Sequence, residues 1–300
     1  MREGDFELVT LRSGARAVRH TGHGEIMHPA GGPWEEANRL YIEQSQLAAR
    51  LQAAGGRPVC IFDIGLGAAT NAVAALTCAR AAGRRITLHS FEIDLAPLRL
   101  ALREPGSFPF LGEYQAAAQA LCQHGRWSGP EGDWILHHGD LLRCLSQAPK
   151  TAELLFFDPF SPRHNPALWT PAAFAAIRAH CRADAETGSS DADRTEGGAL
   201  LFTYSSATPM RTAMLLAGFY VGAGVGTGTK RETTVAATRL AALAAPLSLR
   251  WLKRWERSTA RAPIGEAVLT AEHEREIRAH PQFQALSCGQ GSAFSDGHIC

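Results

Sequence analysis

Short apolar runs recur along this chain, each closing on a turn and followed by a segment with helical spacing. Pro58-Val-Cys-Ile-Phe-Asp63 runs into Gly65-Leu66-Gly67, and an alanine-rich stretch from Asn71 to Ala82 then stops at Gly83. Arg85 to Glu92 is a second run, and Pro97 to Arg103 opens the next helix. Gln115 to His124 reads as helix, Trp134 to His137 as strand and Leu141 to Gln147 as a short helix. Glu153 to Asp158 and Ala199 to Tyr204 are continuous apolar runs, the pattern of strands covered on both faces. Thr170 to Arg182, with Pro171 just inside its start, and Pro209 to Ala217 are the helices that follow them. Such alternation predicts an α/β fold: a Rossmann-like, doubly wound, mostly parallel sheet with right-handed crossovers. Phe219-Tyr-Val and Thr233 to Ala237, joined by a glycine-rich turn, add an antiparallel edge strand.

Three parts are expected. Residues 1–54 form an N-terminal extension, with a β-like stretch at Phe6 to Leu11 and one helix from Trp34 to Ala54 that Gly55-Gly56 ends. Residues 55–240 form the core domain, and 241–300 hold a basic amphipathic helix, Leu247 to Arg257, and a loose tail from Ser287. Ala183 to Gly198 is polar and of low complexity, and reads as a flexible loop. No internal repeat is present.

Charge narrows the function classes. Thirty Lys+Arg against 29 Asp+Glu exclude a histone-like polycation, although a local basic patch remains compatible. No run of eighteen apolar residues occurs, and the first residues lack a signal peptide's apolar core, so a soluble, cytoplasmic protein is expected. The seven cysteines are scattered and odd in number, with no metal spacing, so they read as reduced and structural, and no metal is expected.

The residues able to carry chemistry cluster at the ends of the predicted strands. Asp63-Ile64-Gly65-Leu66-Gly67, followed by Thr70-Asn71, is a strand-to-helix turn of the kind that lets a ligand approach the backbone, although a plain tight turn has the same appearance. Glu92 ends the next strand, where a carboxylate accepts hydrogen bonds from both hydroxyls of a ribose. Thr70 stands where a dinucleotide fingerprint needs its third glycine, and Asp63 would repel a pyrophosphate but suit an ammonium group. S-adenosylmethionine is therefore favoured over NAD. Asp140 follows the third strand and either faces an adenine amine or caps the helix from Leu141, or does both. Asp158-Pro-Phe-Ser-Pro162 ends the fourth strand, and its two prolines hold Asp158 and Phe160 over the cofactor or simply make a rigid turn. Gly222 to Lys230 lacks the ending of a phosphate loop and reads as a hairpin carrying Lys230 and Arg231 toward an anionic partner. Trp251 and Trp255 are expected as the buried stripe of the basic helix. Its cations are either a solvated face or a support for an RNA backbone.

Taken together, several motifs resemble the MnmC-like methyltransferases. They are Asp63-x-Gly65-x-Gly67-x-x-Thr70-Asn71, Glu92, the loop from Asp158 through Asn165-Pro166 to Trp169, Phe202-Thr-Tyr-Ser-Ser-Ala207 and Lys230-Arg231-Glu232. The likeness extends to Gly24-Glu25-x-x-His28 and to Arg254-Trp-Glu-Arg-Ser258. It implies the class I methyltransferase fold and methyl transfer from S-adenosyl-L-methionine to the aminomethyl group of a wobble uridine in tRNA, forming 5-methylaminomethyl-(2-thio)uridine. By the same resemblance Asp63, Gly65, Gly67, Thr70 and Asn71 cradle the methionine part, Glu92 binds the ribose and Asp140 faces the adenine. Asp158 holds the substrate amine, Phe160 packs beside the uracil, and Arg163, Lys230 and Arg231 meet the RNA. The 300 residues leave no room for the FAD-dependent oxidase half of the long family members, which leaves the origin of the aminomethyl substrate open.

Two rivals remain. An aminopropyltransferase of the spermidine synthase type shares the fold, but needs a second acidic residue near Asp158, which stands among Phe, Pro and Ser. A non-catalytic RNA-binding module has no use for a cofactor pocket.

Overall fold

The structure is a computed structural model that describes residues 5–27, 31–182, 198–227 and 230–289. Strands β1 (Phe6–Thr10) and β2 (Arg16–His20) pair antiparallel as a separate ribbon. Three segments follow: helix α1 (Pro33–Ala37), a turn of π-helix over Asn38–Glu43, and helix α2 (Leu47–Ala53). The single helix expected over 34–54 is thus interrupted, and Gln46 takes a left-handed φ of 54° at the break. Apolar spacing alone does not register such a break, because the buried residues on either side keep a helical rhythm.

The main sheet contains β3 (Val59–Ile64), β4 (Ile86–Glu92), β5 (Arg126–Gly129), β6 (Gly132–His138), β7 (Leu154–Phe157), β8 (Leu200–Thr203), β9 (Tyr220–Gly224) and β10 (Thr233–Ala237). Its order is β5-β6-β4-β3-β7-β8-β10-β9, and β6, β4, β3, β7 and β8 run parallel. Every residue of β3 and β7 is buried, which accounts for their unbroken apolar sequences. The crossovers run through α3 (Thr70–Ala81), α4 (Ala96–Arg103) with α5 (Gln115–His124), α6 (Leu141–Cys144), α7 (Pro171–Arg178) and α8 (Thr208–Leu216). Helix α3 is alanine-rich because α1 and α2 cover the side turned away from the sheet, and small residues let both layers approach.

The mostly parallel α/β sheet and its antiparallel edge are as expected. The antiparallel strand β10 lies one place in from the edge, between β8 and β9, and a second antiparallel strand, β5, closes the opposite side. The β5–β6 hairpin has little apolar alternation to announce it. It depends on Gly132, whose φ of 129° admits no other residue and whose Cβ would lie 1.8 Å from the Ile86 carbonyl oxygen.

After the sheet come α9 (Leu249–Glu256), α10 (Ala271–Arg278) and α11 (Pro281–Gly289), the last two not anticipated from sequence. Trp251 and Trp255 are buried as expected, and the Trp255 indole donates to Thr212 Oγ1 at 2.9 Å. Gln282, fully buried, covers the outer edge of β9 by accepting from the Val221 amide and donating to the Val221 and Leu247 carbonyls. An exposed row of strand donors is thereby closed to further pairing. Residues 183–197, 228–229 and 290–300 lie outside the described residues. The expected flexible loop, the tip of the hairpin and most of the expected loose tail are among them. Among the described residues no helix is long and apolar enough to cross a membrane, and Cys60, Cys78, Cys122, Cys144 and Cys181 are free thiols.

Candidate active site

The strand order reverses between β3 and β7, and a cavity of about 870 Å³ opens beyond the carboxyl ends of these strands. A doubly wound sheet binds ligands at this place, because the chains leaving the two strands diverge to opposite faces. The ribbon forms the outer wall through Phe6, Thr10, Leu11 and Arg12. Gly65, Gly67, Glu92, Asp140, Asp158, Phe160 and Lys230, all singled out from sequence, line the cavity together.

Gly65 is where the two central loops meet. Its φ is 92°, its amide donates to the Phe91 carbonyl at 3.0 Å, and a Cβ on it would lie 2.6 Å from the Asp158 carbonyl oxygen. Glu92 is held by three backbone amides: those of Ile93 and Asp94 reach Oε1 at 2.8 and 3.0 Å, and that of Gly67 reaches Oε2 at 3.0 Å. A carboxylate fixed in this way keeps lone pairs for hydroxyl donors in the cavity. Asp140 caps the helix from Leu141, its Oδ1 accepting from the Arg143 amide at 3.1 Å, and it also lines the cavity.

Asp158 has one edge on the cavity and is otherwise enclosed by protein. Asn71 Nδ2 donates to its Oδ2 at 2.9 Å. Burial pushes its pKa up to about 7, against the opposing pull of Asn71, Tyr41 and Lys230. Lys230 extends over the Tyr204 ring, 4.6 Å from its centroid, and donates to the Tyr204 carbonyl. The hairpin base beneath it is fixed by the buried Arg211, which pairs with Glu232 at 2.9 Å and also bonds Thr233 and Thr234. Glu232 in the Lys-Arg-Glu motif is therefore a structural partner.

Five other site residues expected from sequence do not line the cavity. Asp63 is fully buried beneath the loop, because its side chain leaves β3 toward its register partner Ser90, which donates to Oδ2 at 2.8 Å. Burial, with the charges of Asp158 and Glu92 adding to it, raises its pKa to about 7. Thr70 and Asn71 are buried in the first turn of α3, and Asn71 serves Asp158 instead. Arg163 and Arg231 are exposed and outside the lining.

The fold also gives tasks to residues to which the sequence reading assigned none. Glu25 accepts from both the amide and the hydroxyl of Ser161, each at 2.9 Å, and so ties the ribbon to the loop after β7. Trp169 and Tyr204 hold the same loop by donating to the carbonyls of Phe160 and Pro159. His20, His23 and His164 stack with centroids 3.8 Å apart, and Phe160 meets the His23 ring edge-on at 5.3 Å. His23, Glu25 and His164 have ligand atoms within 4.8 Å of one another, where the sequence led to no expectation of metal. The parallel rings aim their lone pairs side by side, so one would have to turn for both to reach a single ion. Six acidic side chains line the cavity (Glu25, Glu36, Glu92, Asp94, Asp140 and Asp158) against Arg12 and Lys230, which favours a cationic ligand. Glu25 and Glu36 reach the cavity that Asp158 lines from a segment more than a hundred residues away.

Comparison with known proteins gives the chemistry. A family model described as S-adenosyl-L-methionine-dependent methyltransferase matches residues 118–239. The "tRNA 5-methylaminomethyl-2-thiouridine biosynthesis bifunctional protein MnmC" of Pseudomonas paraeruginosa is 30% identical over 221 residues, covering 70% of this chain and 32% of that protein. The chain belongs to the S-adenosyl-L-methionine-dependent methyltransferases. The MnmC of Ectopseudomonas mendocina is likewise 30% identical, over 77% of this methyltransferase and 35% of its own length. The methyltransferase thus spans about a third of the length of the curated relatives it matches. A crystal structure titled MNMC2 from Aquifex aeolicus superimposes with a TM-score of 0.66 at 21% identity, covering 91% of this chain and 83% of that one, which supports the fold. Family membership decides against the aminopropyltransferase and the non-catalytic binder. The residues present fit the cofactor: Gly65 and Gly67 line the cavity at the switch point, and the anchored Glu92 offers acceptors to a vicinal diol.

Proposed function

We propose that this methyltransferase methylates the exocyclic aminomethyl nitrogen on a wobble uridine of tRNA, giving 5-methylaminomethyl-(2-thio)uridine. The observation that carries this reading is Asp158: a carboxyl with pKa about 7, on an acidic cavity, directly against Gly65 of the cofactor loop. The name of the MnmC relatives, which specifies 5-methylaminomethyl-2-thiouridine, supports the substrate.

The roles follow from chemistry. S-adenosyl-L-methionine, when bound, supplies an electrophilic methyl group on a sulfonium. Gly65 and Gly67 receive its methionine part, Glu92 its ribose hydroxyls, and Asp140 with the exposed Ile93 its adenine. Asp63 acts from beneath, as a negative charge under the loop. An aminomethyl group arrives as an ammonium and is nucleophilic only as the free base. Asp158, when ionised, accepts that proton and orients the nitrogen, while the acidic lining draws the cation in. Phe160, fixed by Trp169 and the ribbon, offers an apolar face to the uracil ring. Positioning of this kind contributes about 7–11 kcal/mol to a two-reactant step. Lys230 at the rim and the exposed Arg163 and Arg231 meet phosphates outside the acidic cavity.

The test is transfer of labelled methyl from S-adenosyl-L-methionine to tRNA from cells blocked at the wobble aminomethyl stage, with fully modified tRNA as control. Label confined to the wobble uridine of the blocked tRNA is the expected result. Measurable cofactor binding without label in tRNA would redirect the search to small amines, polyamines first.

A further inference from the structure

The wall behind Asp158 is built by a segment to which the reading above gives no task. Asn38–Glu43 forms a turn of π-helix, an element found mostly as single turns and often at functional sites. Tyr41 lies in it, wholly buried, its ring 5.1 Å from that of Phe156 on the strand that leads into Asp158. Its hydroxyl lies within side-chain hydrogen-bonding reach of the Asp158 carboxylate, although the contact lacks the geometry of a normal bond. A buried phenolic donor without a normal partner beside a carboxyl marks a site that is satisfied when that carboxyl carries its charge.

We propose that Tyr41 is a positioning residue for methyl transfer, donating its phenolic O–H to the ionised Asp158 carboxylate and so directing the remaining lone pairs of Asp158 at the substrate nitrogen. The proposal rests on Asp158 being the proton acceptor. Tyr41 keeps its own proton throughout, because burial and the neighbouring charges of Asp158 and Glu36 hold the phenol well above its ordinary range. It is a donor and never a base.

Tyr41→Phe removes one oxygen and keeps the ring packing. The direct test is carbon-13 NMR of protein labelled at the aspartate carboxyl carbons, with the Asp158 signal identified by its loss in Asp158→Asn. In Tyr41→Phe the Asp158 midpoint is expected to rise by about one pH unit, since a hydrogen bond to the charged form is lost. Turnover is expected to fall roughly tenfold, with cofactor affinity unchanged and the acidic limb of the rate profile displaced by the same amount. An unshifted Asp158 titration overturns the proposal even if turnover drops. If the wild-type protein fails to methylate the tRNA, the substrate reading fails, and the titration still decides the role of Tyr41.

Discussion

A Cβ added to Gly65 would stand 2.6 Å from the carbonyl oxygen of Asp158 and 2.9 Å from the nitrogen of Pro159. The cofactor loop and the loop carrying the proton acceptor therefore touch backbone to backbone, with no side chain between. Gly65→Ala is expected to separate them. The φ of 92° alone costs about 1–3 kcal/mol in a residue with a side chain, and the clash with rigid backbone adds to it. Thermal unfolding should shift down by several degrees, and cofactor affinity measured calorimetrically should fall roughly tenfold or more.

Asp158→Asn keeps the shape of the side chain and removes its ability to take a proton. Turnover should drop by about 10²–10⁴-fold while the dissociation constant for S-adenosyl-L-methionine changes little. The wild-type rate should rise with pH through about 7, as the carboxyl ionises, and that limb should vanish in the variant. An equal loss of cofactor binding would mean that Asp158 serves the cofactor instead of the amine.

Much of this arrangement is legible in the sequence, and what is not has a common cause. The buried strands, Gly65, Glu92 and Asp158 announce themselves because each is a local pattern: an apolar run, a turn, a carboxyl at a strand end. Glu25, His23 and Tyr41 carry no such mark. They become part of the site only when the ribbon folds over the cavity and the 34–54 segment breaks into a π turn, and both events depend on tertiary packing. Asp63 shows the reverse error: its position in the motif is right, but strand pleating sends its side chain to Ser90 and away from the ligand.

The burial of Asp63 has a consequence for stability. Its folded pKa, about 7, lies above its unfolded value, so the folded state binds the proton more tightly. Stability from this group is full below about pH 4 and is lost as pH rises through about 7. Asp63→Asn, which cannot ionise, should narrow the difference between denaturation free energies of the cofactor-free protein at pH 5 and pH 8. The narrowing should be about 1.4 kcal/mol for each pH unit between 5 and the folded midpoint of about 7. A difference as large as in the wild type would assign the pH dependence to other groups.

Glu25 offers the sharpest separation of positioning from chemistry, because it holds the Ser161 amide and hydroxyl from the far end of the ribbon and faces the cavity as well. Hydrogen bonds to a charged acceptor contribute about 1.5–3 kcal/mol each. Glu25→Gln keeps one acceptor oxygen and loses the charge, whereas Glu25→Ala releases the loop altogether. The Ser161 amide should exchange with solvent roughly ten- to a hundredfold faster in the alanine variant, and less so in the glutamine variant. If Glu25 acts only through the loop, methyl transfer should fall in that same order. If its charge also draws in the ammonium, Glu25→Gln should raise the KM for the amine substrate while Ser161 stays protected.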